Sequence, residues 1–238
     1  MRFLLTSAGV KNASIREALV DLLDKPISES TALCVPTAMF GHPQAGLDRA
    51  WQFTSGRSAE PMVELGWKSV GQLELTALPS LPAEQWTPWV RDADVLLFSG
   101  GDALYLAHWV GQSGLADLLP SLERTVWLGM SAGSMVVTPS VGDDFIQWRR
   151  GEVEDRALGL VDFAICPHLA QPGSPGNSLA EAAAWAQTMA CPTYVIDDQT
   201  AIRVVGEQVD VISEGRWEHF PDRAAAAAVL DQPAGQAR

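Results

Sequence analysis

The sequence predicts an α/β fold, a three-layer sandwich built on a mostly parallel sheet. Short apolar runs alternate with stretches of helical periodicity, which is typical of βαβ units. The hydrophobic fraction of 47% and the charged fraction of 19% are those of an ordinary globular protein. No repeat, charge block or linker divides the 238 residues, so we expect a single domain over residues 1–238.

Nine short segments have the composition of strands and are bounded by turn or helix signals. In chain order they are residues 2–6, 31–36, 73–78, 94–98, 125–129, 162–166, 194–196, 201–205 and 209–212. The last two flank Gly206-Glu207, which predicts a β-hairpin.

Helices are predicted in the intervals between these strands. Two Ser-x-x-Glu sequences have the form of capping boxes, in which the serine and glutamate side chains satisfy free backbone donors at a helix start. One helix is expected to begin at Ser14, and residues 47–67 are expected to be helical in two pieces separated near Pro61. Further helices are expected after Asp102, from Ala132 to Pro139, and from Ser178 to about residue 190.

The segment Gly129-Met130-Ser131-Ala132-Gly133 follows a predicted strand and precedes a predicted helix. In this context a Gly-x-Ser-x-Gly motif forms a sharp turn that exposes the serine hydroxyl above the sheet edge. Glycine is needed on both sides because a side chain there would collide with the neighbouring strand or helix. The motif predicts that Ser131 is the nucleophile of a serine hydrolase, and a turn used for packing alone is the alternative.

A serine hydroxyl needs a base within hydrogen-bond reach to act as a nucleophile at neutral pH. Of the four histidines, His42 lies in a loop, His108 in a predicted helix and His219 in a polar stretch. His168 follows an apolar strand and precedes a loop. Because open α/β sheets build their sites at the carboxyl ends of their strands, we expect His168 to be the base.

The imidazole in turn needs an acid that fixes its tautomer and stabilises its charge. Asp197-Asp198 follows a late strand, and Asp143-Asp144 lies in the loop after the nucleophile helix. Either pair also suits a solvated turn, and spacing alone leaves the choice between them open.

Two consecutive glycines follow the strand 94–98 and precede Asp102. Such a pair allows the backbone to approach a ligand closely, so the Gly101 amide is a candidate oxyanion donor beside the Ala132 amide. The competing interpretation is a loop shaped for packing, in which Asp102 caps the next helix.

Four segments occur in an order that resembles peptidase family S51. They read Ser-Gly-Gly-Asp at 99–102, Gly-Met-Ser-Ala-Gly-Ser at 129–134, Val-Asp-Phe-Ala-Ile-Cys-Pro-His at 161–168 and Ile-Asp-Asp-Gln-Thr-Ala-Ile at 196–202. The family includes dipeptidase E and cyanophycinase, and its fold is similar to that of class I glutamine amidotransferases. The resemblance covers most of the chain.

The resemblance implies a Ser-His-Asp triad with an oxyanion hole. For the acid it favours Asp198, which falls where dipeptidase E has an acidic residue, with Asp144 as the rival. The other matches are Ser131 as the nucleophile, His168 as the base, and the amides of Gly101 and Ala132 as the oxyanion donors.

The resemblance also implies hydrolysis of short peptides through an acyl-enzyme, with dipeptides, Asp-Xaa among them, as candidate substrates and with no metal or organic cofactor. Dipeptidase E has Gly-Gly-Asn where this chain has Gly-Gly-Asp, and Asp102 would attract a substrate amino group. Arg149 and Arg150 are candidates for binding an acidic side chain. The alternatives are a non-catalytic binding or regulatory protein of the same fold and an esterase or amidase acting on non-peptide substrates.

Charge and composition bear on partners and location. The net charge of −13 would repel a phosphate backbone, so we expect no nucleic-acid partner. The longest apolar run, 224–230, is far shorter than a membrane span, so we expect no membrane partner either. Three cysteines without metal-ligand spacing predict reduced, mostly buried thiols in a cytoplasmic protein. Either a monomer or a homodimer is expected.

Overall fold

Ten strands and nine α-helices occur in the computed structural model, within the residues it describes: 1–148, 155–174 and 176–231. The strands are β1 (Arg2–Thr6), β2 (Thr31–Val35), β3 (Ser69–Gln72), β4 (Val95–Phe98), β5 (Val126–Met130), β6 (Ala164–Leu169), β7 (Thr193–Asp197), β8 (Thr200–Val205), β9 (Gln208–Ser213) and β10 (Trp217–Phe220). The helices are α1 (Ala13–Leu23), α2 (Thr37–Phe40), α3 (Gly46–Thr54), α4 (Ala83–Arg91), α5 (Ala103–Gln112), α6 (Leu115–Leu118), α7 (Ala132–Met135), α8 (Leu179–Ala186) and α9 (Arg223–Leu230).

The strands form two sheets. The larger has seven strands in the order β3-β2-β4-β5-β1-β8-β9, and the smaller has three in the order β10-β7-β6. In the larger sheet β3, β2, β4, β5 and β1 are parallel, while β8 and β9 form an antiparallel hairpin beside β1. The predicted hairpin and the mostly parallel sheet are both confirmed, and the smaller sheet is an addition that the sequence did not predict.

Helices cover both faces of the larger sheet, which gives three layers. Alternate residues of each central strand point to opposite faces, so Leu4 packs with α1 and α3 while Phe3 and Leu5 pack on the other face. That second face carries α4, α5, α7 and the smaller sheet, and its core is centred on Trp127 stacked on Phe98 with ring centroids 3.5 Å apart. The α/β sandwich predicted from the sequence is therefore the observed fold.

One predicted strand is wrong. Residues 73–78 were expected to be extended, but Leu75–Ser80 is a 3₁₀ helix and the strand precedes it, as β3. In this conformation the side chains of Leu73, Leu75 and Leu78 are all buried, which explains the apolar pattern of the segment. Strand β3 lies at the sheet edge with mostly exposed residues, which is why it carries no apolar pattern.

Helix boundaries also differ from the prediction. Helix α1 is capped by Asn12, whose side chain accepts from the Ile15 amide, while the Ser14 hydroxyl donates to Glu214. Within 47–67 only α3 is helical, and the later residues form turns around Pro61, whose carbonyl accepts from the Val10 amide. The capping box predicted at Ser178 is present at the start of α8, which ends at Ala186.

The cysteines are unpaired thiols: Cys34 and Cys166 are buried and Cys191 is partly exposed. Burial raises the pKa of Cys34 to about 11 and that of Cys166 to about 12. No helix within 1–148, 155–174 and 176–231 has both the length and the apolar character to cross a bilayer.

Candidate active site

Ser131 occupies a strained turn between β5 and α7. Its φ of 50° and ψ of −113° lie in a region that non-glycine residues rarely adopt, as expected for a serine presented by a strand-to-helix turn. A Cβ on Gly129 would collide with the Gly133 carbonyl, and one on Gly133 would collide with the Phe98 carbonyl. Both glycines are therefore required by close backbone packing, as the motif predicted.

The end of β1 holds this turn in place. The Thr6 carbonyl accepts from the Ser131 amide at 3.0 Å and from the Ser134 hydroxyl at 2.8 Å. The Thr6 hydroxyl donates to the Gly129 carbonyl at 2.8 Å. Because Thr6 is wholly buried, these bonds are shielded from water and fix the strained serine against its neighbouring strand.

His168 lies near the end of β6, where the backbone departs from regular pairing. Its φ is 66°, and the register of the β6–β7 ladder shifts between Cys166 and Leu169. This local change directs the imidazole toward the nucleophile, and His168 Nε2 lies 2.9 Å from Ser131 Oγ. The structure brings together the two residues that the sequence proposed as nucleophile and base.

The structure places Asp198, rather than Asp144, beside the imidazole. Asp198 Oδ1 lies 2.9 Å from His168 Nδ1, whereas Asp144 is exposed in the 3₁₀ helix Asp143–Phe145. Partial burial acts to raise the pKa of Asp198, but the hydrogen bonds from His168 and Ser7 and the charges of His168 and Lys11 together hold it below its usual value. Asp198 is therefore a carboxylate at neutral pH, able to accept from the imidazole.

The adjacent acid, Asp197, makes different contacts. Its Oδ1 accepts from the Gln199 amide at 3.0 Å and from the Thr200 hydroxyl at 2.7 Å, and its Oδ2 accepts from the Arg216 amide. These bonds hold the turn between β7 and β8. Of the pair predicted from the sequence, one carboxylate builds the turn and the other faces the histidine.

Ser7, the residue after β1, was not predicted as part of the site. It is wholly buried, its hydroxyl donates to Asp198 Oδ1 at 2.8 Å, and its oxygen accepts from the His168 amide at 2.9 Å. The available signal was its position, since it follows the first parallel strand at the same carboxyl edge as Ser131.

The Gly100-Gly101 loop runs alongside the nucleophile. A Cβ on Gly100 would lie 3.4 Å from Ser131 Cβ. Gly101 has a φ of 135°, and a side chain there would collide with the Ala38 carbonyl. The loop therefore brings backbone close to the serine, as expected of a segment that supplies an amide to an oxyanion.

Asp102 was predicted to attract a substrate amino group, but its carboxylate oxygens face backbone amides inside the protein. It is wholly buried, and its Oδ1 accepts from the Tyr105 amide at 2.7 Å as the N-cap of α5. Its Oδ2 accepts from the amides of Gln147 and Trp148 at 2.8 and 2.6 Å. The capping interpretation describes Asp102 better, because both oxygens are already occupied by backbone donors.

Two predicted binding residues, Arg149 and Arg150, lie outside the described residues. Within the part of the chain that the structure describes, no three His, Cys, Asp or Glu side chains are grouped so as to hold a metal ion.

Solved structures with the same fold include peptidases. A candidate peptidase E protein from Listeria monocytogenes EGD-e has a TM-score of 0.63 at 17% identity, over 90% of this chain and 98% of that chain. A peptidase from an acI-B1 Actinobacterium has a TM-score of 0.57 at 19% identity, over 93% of this chain and 94% of that chain. At these identities the similarity is one of fold.

No functionally curated protein matches the sequence. The model of peptidase family S51 matches residues 3–212, a span that contains Ser7, Ser131, His168 and Asp198. On this match over most of its length, the chain belongs to peptidase family S51.

Proposed function

We propose that this protein is a serine peptidase that hydrolyses short peptides through an acyl-enzyme. The observation that carries the proposal is the continuous hydrogen-bonded series of Ser131, His168 and Asp198, with both links at 2.9 Å. A hydroxyl, an imidazole and a carboxylate in this order are the parts of a nucleophile, a general base and an orienting acid.

In the proposed mechanism, His168 Nε2 takes the Ser131 hydroxyl proton as Oγ bonds to the scissile carbonyl carbon. The His168 Nδ1 proton stays on the hydrogen bond to Asp198, which stabilises the imidazolium. The tetrahedral intermediate collapses when the imidazolium gives its proton to the leaving amine and the C–N bond breaks. Water gives a proton to the same imidazole as it attacks the ester carbon. The bond from that carbon to Ser131 Oγ then breaks, and the imidazolium transfers this proton to Oγ, which releases the acid product and restores Ser131.

We assign the Ala132 and Gly101 amides to the developing oxyanion. Helix α7 has only four residues, so this role depends on the direction of the Ala132 N–H itself rather than on a helix dipole. The Gly101 amide belongs to the loop that passes Ser131. Two such donors, held in place before the reaction, stabilise negative charge on the former carbonyl oxygen.

Dipeptides, Asp-Xaa among them, are the proposed substrates. The support is membership of family S51 together with the fold shared with the candidate peptidase E protein of Listeria. Since the Asp102 oxygens already accept from backbone amides, Asp102 is not assigned to a substrate amino group. Arg149 and Arg150 remain the proposed partners of an acidic side chain.

The test combines a fluorophosphonate probe with a panel of Xaa-Yaa dipeptides that includes Asp-Xaa. Wild type is expected to be labelled at Ser131 and to cleave a subset of the panel, and Ser131→Ala is expected to do neither. Ser30→Ala is the matched control, since Ser30 is also fully buried but lies before β2, where its hydroxyl donates to the Pro26 carbonyl.

Two other results would replace the proposal. Labelling of Ser131 with cleavage of esters or amides but of no peptide would identify a hydrolase of non-peptide substrates. A wild-type protein that resists the probe and cleaves nothing would be a non-catalytic member of the fold.

A further inference from the structure

We propose that Ser7 is a positioning residue that holds both His168 and Asp198 in their working geometry. This role rests on the proposed function, because it acts through two members of the proposed triad. No motif marks Ser7, and its role follows from three contacts made by one hydroxyl group.

The hydroxyl of Ser7 is shared between the side chain of one residue and the backbone of another. It donates its proton to Asp198 Oδ1 at 2.8 Å, and its oxygen accepts from the His168 amide at 2.9 Å. Ser7 Oγ also lies 3.3 Å from His168 Nδ1. Since the imidazole donates to the same Oδ1 at 2.9 Å, Ser7 and His168 form a closed ring of contacts with the carboxylate.

The backbone contact matters because His168 departs from the strand. Its positive φ and the register shift take its amide out of the regular β6–β7 ladder, and Ser7 Oγ is the acceptor that this amide finds instead. A left-handed histidine is uncommon and is retained only where its surroundings fix it. Ser7 is wholly buried and follows the central strand β1, so it supplies a rigid anchor.

The side-chain contact sets the charge that the imidazole meets. Ser7 and His168 donate to the same carboxylate oxygen, so the Ser7 proton offsets part of the negative charge that faces the histidine. The charged groups acting on Asp198 are His168 and Lys11. Loss of the Ser7 hydroxyl removes one of the hydrogen bonds that hold the pKa of Asp198 low, so the pKa of this carboxyl rises, and it leaves the His168 amide without its Ser7 acceptor.

The variant Ser7→Ala tests this role. We expect kcat on the best peptide to fall roughly 10- to 100-fold with little change in KM, as for loss of a hydrogen bond to a charged group. We also expect the acidic limb of the plot of kcat/KM against pH to move to higher pH, because this limb reports the ionisation of the hydrogen-bonded pair His168 and Asp198. Ser7→Cys, with a similar volume and a weak S–H donor, should lie between alanine and wild type.

The control is again Ser30→Ala, which deletes a buried hydroxyl far from the site and should leave both kcat and the acidic limb unchanged. A merely structural role for Ser7 would lower the folded fraction without moving the limb, so an unmoved limb in Ser7→Ala would overturn the inference. Wild-type kcat in Ser7→Ala would overturn it while leaving the proposed function intact.

An NMR titration of the Asp198 carboxyl carbon separates the two proposals, because it needs no substrate. If Ser7→Ala raises the pKa of Asp198 while the wild-type protein cleaves nothing, the positioning contact is supported and the peptidase is rejected. Unchanged titration in a protein whose wild type cleaves peptides rejects the contact alone.

Discussion

The carboxylate of Asp198 is the point at which the site is most easily tested at the residue scale. In Asp198→Asn the shape is kept, but the amide would present an N–H to His168 or favour the wrong imidazole tautomer. We expect kcat to fall on the order of 10⁴-fold. Asp144→Asn, in the exposed 3₁₀ helix, should change the rate less than about twofold, and steady-state kinetics on one peptide compares the two.

The same carboxylate links stability to pH. Its pKa in the folded protein lies below the ordinary value of 3.8, so the unfolded state binds the proton more tightly. Asp198 therefore stabilises the fold fully above about pH 5, and this contribution is lost as the pH falls through the folded pKa. We expect Asp198→Asn to reduce the free energy of unfolding more at pH 7 than at pH 3.

Urea unfolding at the two pH values measures this difference. Ser30→Ala removes no titratable group, so its effect should be equal at both pH values. An effect of Asp198→Asn that grows toward pH 3 would contradict the assigned direction of the pKa shift.

Single residues differed in how far the sequence predicted them. Ser131 stands in a motif whose glycines are dictated by local backbone packing, so a short stretch of sequence contained the information. The contacts of Ser7 are with residues that lie 161 and 191 positions later in the sequence. The contacts of Asp102 with Gln147 and Trp148 span 45 and 46 positions. Such contacts exist only once distant elements are packed, and a serine or aspartate in isolation gives no sign of them.

At the scale of elements, the turn around Ser131 depends on contact between β4 and α7. Gly133→Ala would push a Cβ into the Phe98 carbonyl, so we expect a loss of about 1–3 kcal/mol in the free energy of unfolding. Gly111→Ala is the matched control, because Gly111 lies within α5 and a Cβ there meets open space. Gly111→Ala should stabilise the protein by about 0.5–1 kcal/mol. Thermal unfolding of both variants tests whether their changes in stability have these opposite signs.

Asp102 joins two elements, the start of α5 and the segment at 147–148. Asparagine cannot accept from all three backbone amides, so we expect Asp102→Asn to cost about 2–3 kcal/mol and to increase hydrogen exchange at Gln147 and Trp148. Asp222→Asn, at the exposed N-cap of α9, should cost under about 0.5 kcal/mol since asparagine caps equally well. Equal losses in the two variants would contradict the joining role.

The elements themselves were predicted where burial and backbone conformation agree. The central strands β1, β2, β4 and β5 are buried and extended, and their apolar runs located them. Strand β10 was missed because Trp217 and Glu218 are exposed and only four residues are extended. Apolar side chains indicate burial and not backbone conformation. An exposed edge strand is therefore missed, and a buried 3₁₀ helix is mistaken for a strand.

At the scale of the whole molecule, the site lies where the carboxyl ends of two sheets meet. Ser7 and Ser131 directly follow strands β1 and β5 of the larger sheet, while His168 lies in β6 and Asp198 directly follows β7 of the smaller sheet. The rule for parallel strands predicted that His168 and Asp198 lie at carboxyl edges of strands, and the structure has them there, whereas Ser7 was not predicted. It did not separate the strands into two sheets, because strand composition does not encode the pairing partner.

The position of strand β1 between two partners from later in the sequence bears on how the protein folds. Its partners β5 and β8 begin at residues 126 and 200, so during synthesis β1 lacks its second neighbour until residue 205 has been made. The long separation between paired strands predicts slow folding. Since Ser7 and Asp198 are 191 positions apart, the complete hydrogen-bonded site arises only late, and recovery of hydrolysis marks the completion of folding.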